Sequence, residues 1–145
     1  MIKGISHITF IVHDIEKATS FFRDIFHAEV IYDSGERTFS LSQERFFMIG
    51  DLWIAIMKGN PLTEKTYNHM AFEIEDCDFE EYEKRVQCLG VEIRQPRSRI
   101  VEEGRSLYFY DFDNHLFELH TGKLGERLLG YRNCSLKDYK INSQG

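Results

Sequence analysis

The stretch that decides the fold is HITFIVHD at residues 7–14, because the chain repeats it at residues 69–76 as HMAFEIED, an offset of 62. Four of the eight aligned positions match closely. Both stretches are typical of a β-strand, and each leads directly into a helical pattern. The sequence therefore predicts two copies of one structural module.

Each copy continues with one amphipathic helix and three strands. Apolar residues recur at helical spacing at positions 18, 21, 22 and 25 of the segment 15–26, and at 79, 82, 86 and 89 of the segment 79–89. The strand-like runs that follow are 29–33, 38–47 and 52–57 in the first half, and 91–94, 106–112 and 116–120 in the second. Each half is therefore predicted to be βαβββ.

This pattern predicts an α+β fold of two tandem modules, residues 1–60 and 61–131. We expect a short helix at 123–129 to close the second module, and a polar tail at 132–145 to fray. One small sheet cannot cover its own apolar face, so the two halves must pack together. They can do so within one chain or swapped with a second chain, and we expect a homodimer.

Composition and charge narrow the classes of protein. The 145 residues are 42% hydrophobic, enough for one domain-sized core. The net charge of −6, without a run of lysine or arginine, argues against a nucleic-acid partner. The first residues are too short and polar a stretch for a signal peptide or membrane span. Three cysteines without a CxxC spacing suit a reducing compartment, so we expect a cytoplasmic protein.

Three residues form a candidate metal site. His7 and His69 occupy the same position in the two repeats, and Glu118 lies on the last strand of the second half. Two imidazoles and a carboxylate leave coordination positions open for water and substrate. Either histidine alone is more often a buried structural residue, but their matched positions favour the ligand interpretation. The repeat partner of Glu118 at this offset is Ile56, which predicts a fourth corner without a ligand.

Strand alternation adds neighbours to this site. Thr9 shares a strand face with His7, Tyr67 shares one with His69, and His120 shares one with Glu118 and could compete with it as a ligand.

Two further features stay open from the residues alone. Arg97, Arg99 and Arg105 either bind an anionic group or lie on a solvated loop. Glu44, in an otherwise apolar run, is either a hairpin tip or a general base.

Two motifs carry a resemblance to a known family. YNHMAF at residues 67–72 and YFYDFDNHLFELH at 108–120 resemble the fosfomycin-resistance branch of the vicinal-oxygen-chelate superfamily. The likeness extends over residues 1 to about 130. Within the branch the chain resembles the FosX type, a Mn²⁺-dependent hydrolase that adds water to the epoxide of fosfomycin. The segment LSQERFF at 41–47 supports this type, because the thiol-transferring relatives have a shorter connection there.

The resemblance implies roles for individual residues. The implied metal ligands are His7, His69 and Glu118, which would hold Mn²⁺ or another divalent ion. The implied catalytic residues are Glu44, as general base, and Thr9, which with Tyr108 and Arg127 would hold the substrate's oxygen and phosphonate. The implied pocket walls are Trp53 and Tyr67, and Arg99 lies near the position of a cationic phosphonate contact.

The resemblance also implies an assembly. The two modules would pair into a cup-shaped sheet across a homodimer, so that His7 comes from one chain and His69 and Glu118 from the other.

Two other functions remain as alternatives. One is a fosfomycin thiol transferase on the same scaffold, using glutathione, cysteine or bacillithiol. The other is a non-catalytic antibiotic-binding protein, against which the intact set of ligands argues.

Overall fold

The computed structural model describes residues 1–142, with side chains as far as residue 135. The strands and helices in chain order are β1 (His7–Val12), α1 (Ile15–Phe26), β2 (Glu29–Asp33), β3 (Glu44–Ile49), β4 (Leu52–Lys58), β5 (His69–Glu73), α2 (Phe79–Leu89), β6 (Ile93–Arg94), β7 (Ser106–Tyr110), β8 (Leu116–His120) and α3 (Leu124–Asn142). Short 3-10 turns precede α2 and β7, at Asp76–Asp78 and Val101–Glu103.

The strands form two four-stranded sheets with the same topology, β1-β4-β3-β2 and β5-β8-β7-β6. In each sheet the first and last strands of the module are parallel neighbours, and the remaining pairs are antiparallel. This confirms the prediction of two tandem βαβββ modules. The hydrogen-bonded ladders described in one chain stay within each sheet, so a continuous cup-shaped sheet would need a second chain and remains a proposal.

Aromatic side chains of both modules share one core. Phe21 and Phe22 of α1 lie 5.1 and 5.8 Å, ring centre to ring centre, from Phe117 of β8, and Phe26 lies 6.0 Å from Phe109 of β7. Four of these rings are completely buried, and Phe26 is nearly so. Burying one such ring contributes about 1.5–3 kcal/mol. The helix of the first module therefore holds the inner face of the second sheet in place.

A polar junction also ties the modules together. Both carboxylates of the β7–β8 turn are buried. Asp111 binds the His115 ring at 2.7 Å, and Asp113 accepts the backbone N–H of His13 at 2.8 Å. The carbonyl of Asp113 also accepts the backbone N–H of Leu62, in the connection between the modules. The turn is thus fixed both to the first module and to the linker.

Two segments differ from their predicted structure. The strand predicted at 38–47 begins only at Glu44, because residues 34–43 form turns that leave Phe39 and Leu41 in solvent. In the second module the strands predicted at 91–94 and 106–112 shorten to Ile93–Arg94 and Ser106–Tyr110.

Within residues 1–142, the prediction of a short helix at 123–129 followed by a fraying tail is wrong. One helix, α3, runs to Asn142, and residues 143–145 lie outside the described part of the chain. Gly130 does not end the helix but provides a close contact, since a Cβ there would lie 2.7 Å from Glu102 Cβ. None of the helices within residues 1–142 combines the length and the apolar composition needed to cross a bilayer.

The connection from β8 to α3 packs against backbone, which can be tested by substitution. A Cβ on Gly122 would lie 2.2 Å from the Glu103 carbonyl oxygen, whereas one on Gly125 would meet no atom within 4 Å. We expect Gly122→Ala to lower the free energy of unfolding by about 1–3 kcal/mol through overpacking. Gly125→Ala, the matched control, should leave it unchanged or raise it by up to about 1 kcal/mol. Urea denaturation measures both, and equal effects would contradict the close contact.

Candidate metal centre

His69 and Glu118 meet on the exposed face of the second sheet. Their strands β5 and β8 are parallel neighbours, with His69 opposite Leu116 and Glu118 opposite Ala71. His69 Nε2 lies 2.9 Å from Glu118 Oε2. Two ligand atoms bound to one ion at about 2.1 Å each are roughly 3 Å apart when the bond angle is near 90°. The pair is therefore spaced as two ligands of one divalent ion.

The second ring nitrogen of His69 also fits this role. His69 Nδ1 lies 2.7 Å from the carbonyl oxygen of Tyr67, which can only accept a hydrogen bond. The hydrogen bond therefore assigns a ring proton to Nδ1, so Nε2, beside Glu118, is the nitrogen available to bind an ion. Metal-bound histidines generally donate their other N–H to a carbonyl or carboxylate in this way.

Glu118 is a buried carboxylate, 4% exposed, that the surrounding groups keep ionised. Burial alone would raise its pKa. The hydrogen bond from the Ser106 hydroxyl, first, with the nearby Tyr108 hydroxyl and the His120 and His69 rings, instead brings the pKa below its ordinary value. An ionised carboxylate is the form that binds a divalent cation.

Hydroxyl and guanidinium groups border this pair. Tyr108 OH receives hydrogen bonds from Tyr67 OH at 3.1 Å and from Arg99 Nη2 at 2.7 Å. Burial, first, and the hydrogen bond with Tyr67 raise the pKa of Tyr108, so this phenol stays neutral. Arg99 Nη2 also lies 3.3 Å from Glu118 Oε1. The side chain is 10% exposed, and its Nε and Nη1 are buried without a hydrogen-bond partner among the described residues. Unpaired buried N–H groups of a guanidinium are suited to an anionic ligand.

Arg127 joins the same face through a chain of hydrogen bonds. From α3, Arg127 Nη2 lies 3.1 Å from His120 Nε2. His120 Nδ1 lies 2.7 Å from the Ser106 hydroxyl, which in turn donates to Glu118. His120 thus faces Arg127 and Ser106.

The three arginines that are close together in the sequence have different surroundings in the structure. Arg99 lies at the site, but Arg97 binds Glu103 at 2.6 Å. Arg105 binds Glu80 at 2.6 Å and stacks over the Phe79 ring at 3.8 Å. Arg97 and Arg105 are therefore engaged in pairing within the fold.

The remaining predicted residues share the exposed face of the first sheet. His7 lies opposite Trp53, with their ring centres 4.3 Å apart. Thr9 lies two residues further along β1, opposite Ala55. Glu44 is opposite Met57, two residues beyond Ala55 on β4. Glu44 therefore shares the face of His7 but lies further along the sheet, beyond the level of Thr9.

One chain does not bring the three candidate ligands together. Within the described residues, no three His, Cys, Asp or Glu side chains are placed to hold one ion. Neither neighbouring cavity brings the candidate ligands together: the cavity of about 680 Å³ beside Glu44 is not lined by His7, and the cavity of about 600 Å³ beside His69 is not lined by Glu118. The candidate site is therefore present as two separate halves.

The strand register also corrects the prediction of which residue in the first sheet corresponds to Glu118. Glu118 lies opposite Ala71, and the corresponding pair in the first sheet is Thr9 and Ala55, so the repeat partner of Glu118 is Ala55. Ile56 is completely buried in the core. The prediction fails by one position because β8 pairs with β5 one residue later, relative to the repeat, than β4 pairs with β1. The corner still carries no ligand side chain.

Two residues of the second sheet, on the face that carries the candidate metal donors, were not predicted from the sequence. Ser106 donates a hydrogen bond to Glu118, and Arg94 donates one to Tyr110 OH at 3.1 Å and lies over the Tyr67 ring. Ser106 precedes Tyr108 by two residues on β7, so strand alternation could have identified it. Arg94 lies on a two-residue strand, too short to show a pattern.

Known proteins share both the sequence and the fold of this chain. Residues 4–119 match the family model of the Glyoxalase/Bleomycin resistance protein/Dioxygenase superfamily. Fosfomycin resistance protein FosX of Listeria monocytogenes is 60% identical over 90% of this chain and 98% of its own length. Metallothiol transferase FosB of Staphylococcus saprophyticus is 37% identical over 91% and 85%.

A solved structure of a mutant FosX from Listeria monocytogenes, complexed with Mn(II) and 1S,2S-dihydroxypropylphosphonic acid, aligns with a TM-score of 0.83. It is 54% identical to this chain, and the alignment covers 90% of this chain and 99% of that one. The match extends over both modules. The chain therefore belongs to the glyoxalase/bleomycin resistance protein/dioxygenase superfamily and, within it, to the FosX group.

Proposed function

We propose that this protein is a Mn²⁺-dependent hydrolase that adds water to the epoxide of fosfomycin, forming a vicinal diol phosphonate and so conferring resistance. The observation that carries the proposal is the pair of metal donors, His69 and Glu118, bordered by unpaired guanidinium N–H groups of Arg99. Such a site suits an anion that also reaches a metal. The diol bound in the FosX relative is what water addition to this epoxide would give.

In this proposal the substrate's phosphonate binds on the side of the site that carries the arginine side chains. Arg99 and Arg127 approach the exposed face of the second sheet from different segments. Arg99 contacts Glu118, and Arg127 contacts His120. The Tyr108 phenol, held neutral, donates a hydrogen bond to a phosphonate oxygen. Fixed guanidinium groups suit this task because they present several N–H donors in a rigid plane.

Ring opening needs activation of both the epoxide and the water. A divalent ion such as Mn²⁺ supplies, when bound, Lewis-acid polarisation of the epoxide C–O bond. Glu44 removes a proton from a water molecule as its oxygen forms a bond to C1 and the C1–O bond of the ring breaks. A proton from solvent then converts the oxygen left on C2 into the second hydroxyl of the diol. A positioned base of this kind accelerates the step about 10²–10⁴-fold. Thr9 holds the substrate's oxygen, and Trp53 and Tyr67 form the walls.

Two copies of the chain complete the site in this proposal. The faces with His7 and with His69 are both exposed, and each carries only part of the ligand set. A homodimer that places His7 of one copy against His69 and Glu118 of the other supplies all three ligands.

Metal binding can be tested on single variants. We expect His69→Ala and Glu118→Gln each to weaken Mn²⁺ binding by more than about tenfold, because each removes a direct ligand. His27→Asn is the matched control, since His27 ends α1 in a left-handed conformation that asparagine also adopts. Electron paramagnetic resonance of free Mn²⁺ gives the affinities. Unchanged affinity in both ligand variants would exclude this metal site.

The reaction itself can be followed by ³¹P NMR of fosfomycin with the Mn²⁺-loaded protein, with and without added thiol. We expect the diol in both samples. A thiol adduct formed only with thiol would identify a transferase instead. Binding without any product would identify a sequestering protein.

The role of Glu44 as the general base can be tested against a matched control variant. Glu44→Gln should lower the rate of diol formation about 10²–10⁴-fold, while Glu36→Gln, in the exposed turn segment before β3, should leave it unchanged. A Glu44→Gln variant with full hydrolase activity would contradict the assigned base.

A shared site predicts complementation between inactive variants. His7→Ala and Glu118→Gln proteins should each be inactive alone. After unfolding and refolding together at equal concentration, about half of the dimers are mixed, and each mixed dimer has one intact site. Activity should therefore return to about a quarter of the wild-type value. A mixture that stays inactive, although size-exclusion chromatography detects dimers, would contradict sharing of the site between chains.

A further inference from the structure

Glu103 is a buried carboxylate outside the candidate site, 3% exposed, on the loop between β6 and β7. Its Oε1 accepts hydrogen bonds from Arg97 Nη2 at 2.6 Å and from Tyr131 OH at 2.7 Å. Its Oε2 accepts the backbone N–H of Ile100 at 3.1 Å and Arg97 Nη1 at 3.3 Å. The hydrogen bond from Arg97, first, and that from Tyr131 lower the pKa of Glu103 to about 2. The carboxylate is therefore ionised at any working pH.

These donors come from two separate segments of the chain. Arg97 and Ile100 belong to residues 97–104, here called the 97–104 loop, whereas Tyr131 belongs to α3. The helix lies directly on this loop, because a Cβ on Gly130 would be 2.9 Å from Ile100 Cδ1. Glu103 thus joins the loop and the helix where they already touch.

The same two segments deliver the two guanidinium groups of the site. Arg99 lies in the 97–104 loop, two residues after Arg97, and contacts Tyr108 and Glu118. Arg127 lies on α3, one helical turn before Tyr131, and contacts His120. The separation of the two guanidinium groups therefore depends on how the loop is attached to the helix.

We propose that Glu103 is a positioning residue for anion binding: by joining the 97–104 loop to α3 it fixes the spacing of Arg99 and Arg127, which together hold the substrate's phosphonate. This inference rests on the proposed function for the identity of the anion. Binding a tetrahedral anion by two rigid guanidinium groups requires their spacing to match its oxygens, and small displacements lose much of the interaction. Among the described residues, Glu103 accepts side-chain hydrogen bonds from Arg97 and Tyr131 and none from Arg99, Arg127 or the candidate metal ligands.

A purely structural role for Glu103 makes a different prediction. Loss of a structural contact lowers stability, yet the protein that remains folded binds substrate normally. Loss of a positioning contact weakens phosphonate binding in the folded protein. The two roles therefore separate in binding measurements made well below the unfolding temperature.

The test compares Glu103→Gln and Tyr131→Phe with a matched control, Glu102→Gln. Glutamine keeps the size of the Glu103 side chain but removes its charge, and phenylalanine removes only the hydroxyl from Tyr131. Glu102 is the exposed neighbour, so its substitution makes the same chemical change outside the network. The readouts are KM and kcat for fosfomycin, and the Kd of propylphosphonate, which has no epoxide, by calorimetry of the Mn²⁺-loaded protein.

We expect Glu103→Gln to raise KM and the Kd of propylphosphonate about tenfold, and Tyr131→Phe to raise them less, with kcat changed by less than about threefold. Glu102→Gln should match the wild type. If Glu103→Gln does not fold, as judged by circular dichroism, Tyr131→Phe decides the question alone. A lower melting temperature with unchanged KM and Kd would overturn the inference.

Propylphosphonate binding also separates this inference from the proposed function. If the wild type binds propylphosphonate but forms no diol, the proposed function fails, and the Kd values of the variants still decide the role of Glu103. If the wild type forms diol and the variants bind propylphosphonate as tightly as it does, only the inference about Glu103 fails. A wild type that binds no phosphonate would overturn both.

Discussion

The register of β8 against β5 is the constraint on which the candidate site depends. Phe117 and Leu119 point into the core, so Glu118 between them must point to the exposed face. Opposite it, Ala71 presents only a methyl group, which leaves space for His69 to reach the carboxylate at 2.9 Å. A slip of one residue would turn the carboxylate from this face into the aromatic core, and the packing of those rings against α1 opposes any such slip. The core therefore specifies the metal donors as firmly as it specifies the fold.

The negative charge of a buried carboxylate such as Glu118 must be stabilised by neighbouring groups. Removing one partner from a buried charge pair typically costs about 3–5 kcal/mol, because the remaining charge is left without a partner. Glu118 has the Ser106 hydroxyl, His69 and the Arg99 guanidinium around it, so the negative charge is stabilised even without a cation. The same surroundings leave Nε and Nη1 of Arg99 without a partner in the part of the chain that the structure describes. The arrangement that stabilises the carboxylate thus also prepares the face for an anion.

The repeat made most of the fold predictable from sequence, because alternation and helical spacing are local properties of the chain. It predicted α1 and α2 with their observed bounds and set His7 and His69 at equivalent positions. It failed where distant contacts decide the structure. The pairing of Glu118 shifts by one residue, and α3 continues past Gly130 because the 97–104 loop packs against it. For the same reason Glu103 gave no signal, since its partners lie in two segments that only tertiary structure brings together.

The two modules share a topology but differ in what their exposed faces can do. The second sheet concentrates metal donors and guanidinium groups, whereas the first carries the candidate base, Glu44. A general base loses strength when a cation stabilises its ionised form. The neighbouring guanidinium, Arg45, lies on the opposite face of β3, where Glu16 and Asp33 bind it. In the proposed site, the fixed guanidinium groups belong to the half that binds the anion, and the candidate base belongs to the other half.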